Sequence, residues 1–285
     1  MFDCQWKNWL EEIIANVEAF EFKTEPFPYF YTEPFLPAEV YENLERYWPE
    51  DKCFWGQNDI AETPAQHEEA NLRKVVIIDD APGFAEQDDS AEFWLNFREV
   101  LRGPELLEAI LAKSLDYILE IRKDMDFSTA QCWSNALLEV DTEGFQLGPH
   151  VDATSSLLSL LFYLPHDGSP ENQGTCVFQP SDDFLSKNPS LLDDFSTKYY
   201  DYEDFDEHFR APYRKNGLFG MINGPKSYHG VAKLDQLEFG RRHILWSITN
   251  ENTNPFPSAL ERVKQGLTVG SERTRKRMEA LMANK

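Results

Sequence analysis

Positive charge is in short supply in this sequence. Its 285 residues carry 27 Lys and Arg against 50 Asp and Glu, a formal net charge of −23 at pH 7. Phosphate contacts need clustered cations, so the balance argues against nucleic acid and against an anionic membrane surface as partners. Cysteine is scarce as well. The four present, Cys4, Cys53, Cys132 and Cys176, are scattered without metal-type spacing. That excludes a disulfide framework and predicts reduced thiols. No apolar run approaches the length of a membrane span, and the chain does not open on a basic region followed by an apolar one. A soluble, cytoplasmic protein is expected. Neither an internal repeat nor a linker is visible, so a single domain over residues 1–285 is expected. Disorder is excluded by composition, since 41% of the residues are hydrophobic and 14% aromatic, enough for a real core.

The informative stretch is Gln146-Leu147-Gly148-Pro149-His150-Val151-Asp152. On a β-strand, His150 and Asp152 point to the same face. A second imidazole is available later, His229 in Ser227-Tyr228-His229-Gly230-Val231. Two His and one carboxylate form the facial donor set of non-haem iron sites, which leaves metal positions open for substrate and oxygen. Zinc takes similar donors, so the triad alone does not choose between the two metals. Downstream, Gly240-Arg241-Arg242 opens the apolar run His243-Ile244-Leu245-Trp246-Ser247-Ile248. A buried Arg at that point can grip a carboxylate through two parallel hydrogen bonds.

Taken in this order, the segment 127–250 resembles the catalytic core of the 2-oxoglutarate and Fe(II)-dependent oxygenases, in particular the prolyl-4-hydroxylase-like branch. Ser159-Leu160-Leu161-Phe162-Tyr163-Leu164-Pro165 is similar to that branch's apolar strand ending in Tyr-Leu-Asn, with Pro165 in place of the Asn. Gln173-Gly174-Thr175-Cys176-Val177-Phe178 is similar to its Gly-Gly-x-Leu strand, with Thr175 in place of the second Gly. Ser-Tyr-His-Gly-Val around His229 matches the frame of the distal His. The resemblance covers less than half of the chain and specifies no substrate.

The resemblance implies a mainly β fold with flanking helices. This is a double-stranded β-helix, the jelly-roll or cupin-like barrel, buttressed by N-terminal helices. It implies that His150, Asp152 and His229 hold Fe(II), with 2-oxoglutarate as cosubstrate and O2 as oxidant. The reaction implied is hydroxylation of an unactivated C–H bond, with release of succinate and CO2. An Arg on the last barrel strand and a Tyr on the long apolar strand hold the distal carboxylate of 2-oxoglutarate in that family. Tyr163 occupies the matching Tyr position, and two arginines compete for the other. If Arg241 faces the pocket, so do His243, Leu245 and Ser247, while Arg242, Ile244, Trp246 and Ile248 face helices. That division favours Arg241. Asp152 stands where related halogenases carry a residue that cannot ligate, which disfavours halogenation.

In chain order, residues 1–126 read as helical and strand support for this core. Trp6, Trp9, Leu10, Ile13 and Val17 recur at helical spacing. Pro26 to Tyr31 reads as an extended edge strand, and a helix opens at Phe35-Leu36-Pro37 and stops before Pro49. Residues 51–70 read as a loop, and Lys74 to Asp79 as a strand. Ser90 is placed to N-cap a helix over Ala91 to Val100, and a second helix follows Gly103-Pro104. Within the core, 181–216 reads as an acidic and aromatic insert between strands, suited to a lid over the site or to a surface loop. The tail 251–285 reads as helical, with Arg273, Arg275, Lys276 and Arg277 clustered. His67, His166 and His208 read as solvated, and His243 has no assigned role.

Two other classes compete with the oxygenase. One is a non-catalytic cupin-like barrel that binds a ligand or metal. The other, weaker, is a zinc hydrolase. The substrate class is open between a small molecule and a peptide. The oligomeric state is open too.

Overall fold

The computed structural model describes residues 4–57, 71–84, 88–123 and 132–250. The expected C-terminal helix with its basic cluster and His67 lie outside the described residues, as does most of the 51–70 loop. In chain order the elements are α1 (Cys4–Ala19), β1 (Tyr29–Thr32), α2 (Ala38–Arg46), β2 (Trp55–Gly56), β3 (Arg73–Ile77), α3 (Asp88–Arg102), α4 (Pro104–Ile121), β4 (Trp133–Asp141), β5 (Leu147–His150), β6 (Ser156–Tyr163), β7 (Cys176–Pro180), α5 (Asp182–Lys187), β8 (Phe205–Arg210), β9 (Leu218–Ile222), β10 (His229–Val231) and β11 (Arg241–Thr249).

These strands form two antiparallel sheets. The larger has the order β1-β9-β6-β11-β4-β3-β2 and the smaller β5-β10-β7-β8. From β4 onward the chain passes back and forth between them, so strands adjacent in sequence mostly lie in different sheets. Strand pairing closes no barrel among the described residues; the sheets pack face to face instead. Their shared core holds Tyr29, Leu161, Tyr163, Phe219 and Met221 from one sheet against Val177 from the other.

Alternation along the strands explains the layers. On β11, Ile244, Trp246 and Ile248 turn outward to the helices, in one apolar cluster with Trp6, Leu10, Ile13 and Val17 of α1 and Trp94 and Phe97 of α3. The opposite parity, His243, Leu245 and Ser247, faces the small sheet and lines a cavity. Strand β1 is the edge strand of the large sheet, paired to β9, with one further bridge from Tyr29 to Lys23, as its proline punctuation predicts.

Three local expectations need correction. Ser90 lies inside α3, which starts at Asp88, so it is not the N-cap. The stretch 51–57 holds a 3-10 turn and the short strand β2 rather than loop alone. The supposed insert 181–216 contains α5 and β8, and β8 is the edge strand of the small sheet. Three of its six residues, Asp206, Glu207 and His208, are exposed. It therefore lacks the apolar alternation by which strands are read.

Candidate metal centre

β5 and β10 run antiparallel with His150 directly opposite His229, which brings the imidazole rings to 4.2 Å between centroids. The strand ends at His150. Asp152 lies just beyond it, so its position does not follow from strand alternation, as the sequence reading assumed. A hydrogen bond holds it instead. Ser159 on β6 donates to Asp152 Oδ2 at 2.6 Å. The other oxygen, Oδ1, lies 3.7 Å from His150 Nε2 and 3.6 Å from His229 Nε2. Ser159 is itself a polar residue in a strand buried throughout. Asn223 supports it, with Nδ2 donating to Ser159 Oγ at 3.0 Å and to Ser156 Oγ at 2.7 Å.

Both imidazoles are oriented from behind. His150 Nδ1 is 3.0 Å from Gly148 O, and His229 Nδ1 is 2.9 Å from Ser227 O. A carbonyl can only accept, so each Nδ1 carries the proton and each Nε2 presents its lone pair. The candidate ligand atoms of His150, Asp152 and His229 all lie within 4.8 Å of one another. Burial and the neighbouring His229 push the His150 imidazole down to about 3. Burial alone would raise the Asp152 carboxyl; His229, His150 and the Ser159 hydroxyl together hold it below the usual carboxylate range. Neutral imidazoles and an ionised carboxylate are the protonation states a divalent cation requires.

Beside the triad lies a cavity of about 350 Å³. Leu161, Met221 and Leu245 give it apolar wall, and Arg73, Glu139 and His243 give it a second polar group. This group is a buried charge network. Asp141 accepts from Arg73 Nε at 2.6 Å and Nη2 at 3.1 Å, and from Arg241 Nη1 at 2.7 Å. Arg73 Nη1 lies 3.0 Å from Glu139 Oε2, which in turn lies 2.7 Å from His243 Nε2. His243 Nδ1 faces Arg241 Nη1 at 3.2 Å and can only accept from it, so the ring is neutral with its proton on the Glu139 side. Burial and Arg241 lower the His243 pKa accordingly. Asp141, which burial alone would raise, is brought down to about 2, chiefly by the Arg73 guanidinium and its hydrogen bond, with Arg241.

The two residues expected to hold a carboxylate sit behind this wall. Arg241 is fully buried and does not line the cavity. Besides Asp141 it donates from Nε to Gln173 O at 2.5 Å, and its guanidinium packs between the rings of Tyr163 and Tyr213. Its Nη2 has no partner, but it is sealed in. The Tyr163 hydroxyl donates to Thr175 Oγ1 at 2.9 Å and accepts from Thr175 N at 3.0 Å. Arg242 lies on the helix side, with Nε on Leu164 O and its guanidinium over Trp48.

Residues 199–202 form a strap that lies against β5. Tyr200 N donates to Pro149 O at 3.0 Å and the Tyr202 hydroxyl to Val231 O at 2.5 Å, which ties the strap to both metal-bearing strands. The Tyr199 ring lies 4.8 Å from that of His150. Sequence reasoning missed Arg73, Glu139, Asp141 and Ser159. Ser159 interrupts Leu157-Leu158-Ser159-Leu160-Leu161, and the alternating acids Glu139 and Asp141 follow the apolar run Ala136-Leu137-Leu138; both were signals of inward polar groups.

No family model matches the chain, and no curated protein matches it. Among solved structures the chain is similar to a Pseudomonas putida prolyl-4-hydroxylase, at 13% identity and a TM-score of 0.47, covering 84% of this chain and 99% of that one. A prolyl 4-hydroxylase from Phytophthora capsici matches at 11% identity and a TM-score of 0.48, covering 93% and 74%. An oxidoreductase of the 2OG-Fe(II) oxygenase family from Burkholderia pseudomallei matches at 9% identity and a TM-score of 0.43, covering 88% and 94%. No described helix is long and apolar enough to cross a membrane.

Proposed function

We propose that this chain is an Fe(II)- and 2-oxoglutarate-dependent oxygenase that hydroxylates a small-molecule or peptidyl substrate. The observation that carries the proposal is the convergence of two Nε2 lone pairs and one carboxylate oxygen beside a cavity. His150, Asp152 and His229 would hold the metal, on one side only, which leaves its remaining positions to the cavity. Held there with 2-oxoglutarate and O2, Fe(II) supplies oxidative decarboxylation to succinate and CO2, coupled to hydroxylation of a C–H bond.

The protein's own part is orientation and exclusion of water. Ser159 and Asn223 aim one carboxylate oxygen at the metal position, and the carbonyls of Gly148 and Ser227 fix the imidazole tautomers. Leu161, Met221 and Leu245 give the cavity apolar wall against which a substrate can exclude water. Its volume suits a five-carbon diacid, and the arginine group provides for the distal carboxylate. Arg241 and Tyr163 are the sequence-derived candidates there. The winding of strands between two sheets is what a double-stranded β-helix requires.

The test is succinate release from 2-oxoglutarate with Fe(II) and O2, screened over amino acids, peptides and metabolites, with Asp152→Ala as control. Turnover that depends on Fe(II) and O2 and is absent from the variant supports the proposal. Activity that survives without oxygen would instead indicate a zinc hydrolase. Ligand binding with no turnover under any condition would indicate a non-catalytic barrel.

A further inference from the structure

We infer that Arg73, rather than Arg241, is the cation that meets the distal carboxylate of a ligand in this cavity; the inference rests on the proposed use of 2-oxoglutarate. Arg73 belongs to β3, outside the segment that carries the recognisable motifs, and nothing in its local sequence marks it. The sheet brings it in. β3 pairs with β4 so that Arg73 lies opposite Asp141, and β11 pairs with β4 from the other side so that Arg241 also lies opposite Asp141. One carboxylate thus sits between two guanidinium groups.

The two arginines are not equivalent. Arg73 lines the cavity, whereas Arg241 is buried behind it. A guanidinium has five N–H donors. Arg73 commits two to Asp141, from Nε and Nη2, and Nη1 lies 3.0 Å from Glu139 Oε2 as an ion pair, so the fork keeps N–H donors for a ligand. Its plane is braced by the Phe145 ring, 4.5 Å away, so the fork is held before anything binds. Arg241 retains an unpartnered Nη2, but that atom is buried and Arg241 does not line the cavity. Tyr163 is likewise engaged on both its donor and acceptor sides by Thr175.

Charge counting gives the second reason. Arg73, Arg241, Glu139 and Asp141 sum to zero with His243 neutral. A carboxylate therefore binds by direct hydrogen bonds to whichever guanidinium faces it, not by a net positive field. The test must keep that balance, since removing Arg73 alone leaves an extra negative charge that would repel any acid.

The experiment is calorimetric titration of Fe(II)-loaded protein without oxygen, using 2-oxoglutarate and 2-oxopentanoate. The second acid keeps the 2-oxo acid end and lacks the distal carboxylate. Wild-type protein should prefer 2-oxoglutarate. In Arg73→Met/Glu139→Gln, which preserves net charge, 2-oxoglutarate binding should weaken about tenfold to a hundredfold, the range of one or two charge-assisted hydrogen bonds. Binding of 2-oxopentanoate and of Fe(II) should stay near the wild-type values. Arg241→Lys, which keeps the charge and leaves Asp141 to hold Arg73, should keep the preference. Arg73→Lys, which keeps the charge and loses the fork, should lose most of it, and it serves if the double variant does not fold. A preference that survives in the Arg73 variants overturns the inference while leaving the oxygenase proposal intact. Wild-type protein that binds Fe(II) but neither acid overturns both.

Discussion

Asp152 shows how a single residue is prepared for one job. It has two oxygens, and the protein uses up one of them: Oδ2 takes the Ser159 hydroxyl, and Oδ1 is left facing both imidazoles. A carboxylate tied in this way binds a metal through one atom and leaves a position open. Ser159→Ala frees Oδ2 to rotate into the site, and metal-ligand orienters of this kind are worth about 10–100-fold in affinity. Fe(II) titration of the variant without oxygen should show a loss in that range, and unchanged affinity would mean that packing alone holds Asp152. Tyr163 offers a contrasting case. Its hydroxyl satisfies two groups of Thr175, both buried. Tyr163→Phe should cost about 1–3 kcal/mol, the penalty for orphaning buried polar groups, read as a lower denaturation midpoint. Its 2-oxoglutarate affinity should be nearly that of the wild type. A large loss of affinity with no loss of stability would return Tyr163 to the cavity.

At the scale of elements, the site is the meeting of three pieces: the β5–β10 pair that supplies the imidazoles, β6 that holds Asp152, and the 199–202 strap laid over them. The strap is packed closely. A Cβ at Gly148 would stand 2.5 Å from Tyr200 O, so only glycine lets the strap lie on β5. Gly148→Ala should lift the strap, at a cost of about 1–3 kcal/mol typical of overpacking. Limited proteolysis should then cut within 196–203 faster than in the wild type; equal rates would show that the strap is held from elsewhere. Much at this scale was legible in the sequence. Helical spacing located α1, the Gly103-Pro104 break located the start of α4, and β11 separates helix-facing from cavity-facing residues because its alternation is strong. What escaped has physical causes. Asp152 escaped alternation because β5 ends at His150, so its placement comes from the Ser159 hydrogen bond on another strand. β8 was hidden because an exposed edge strand needs no apolar alternation. Arg73 was hidden because its meaning comes from Asp141, 68 residues away in sequence.

For the whole molecule, the buried charge network ties stability to pH, and the sign can be worked out. His243 is buried as a neutral ring with its pKa lowered by burial and by Arg241. The unfolded chain therefore takes up a proton at His243 near its ordinary value of 6.5, where the folded protein does not. Asp141 is held at about 2 against an ordinary 3.8. Here too the unfolded state binds the proton first. Wherever the unfolded state holds more protons, stability rises with pH. Both groups thus act in one direction: stability is full above about pH 6.5, begins to fall as His243 of the unfolded chain protonates, and falls further as pH drops from 3.8 towards 2 at Asp141. Denaturant unfolding at a series of pH values, with chelator present so that metal binding does not intrude, should show this fall. His243→Gln should make the curve below about pH 6.5 shallower without abolishing its slope, because His150, held down to about 3, acts in the same direction. Asp141→Asn should weaken the lower part, to which Asp152 also contributes, while lowering stability at neutral pH, because Arg73 and Arg241 then face each other across a neutral amide. A His243→Gln curve that coincides with the wild type in its upper part would mean that His243 is not neutral in the folded protein, and the proton assigned to its Glu139 side would have to be shared differently.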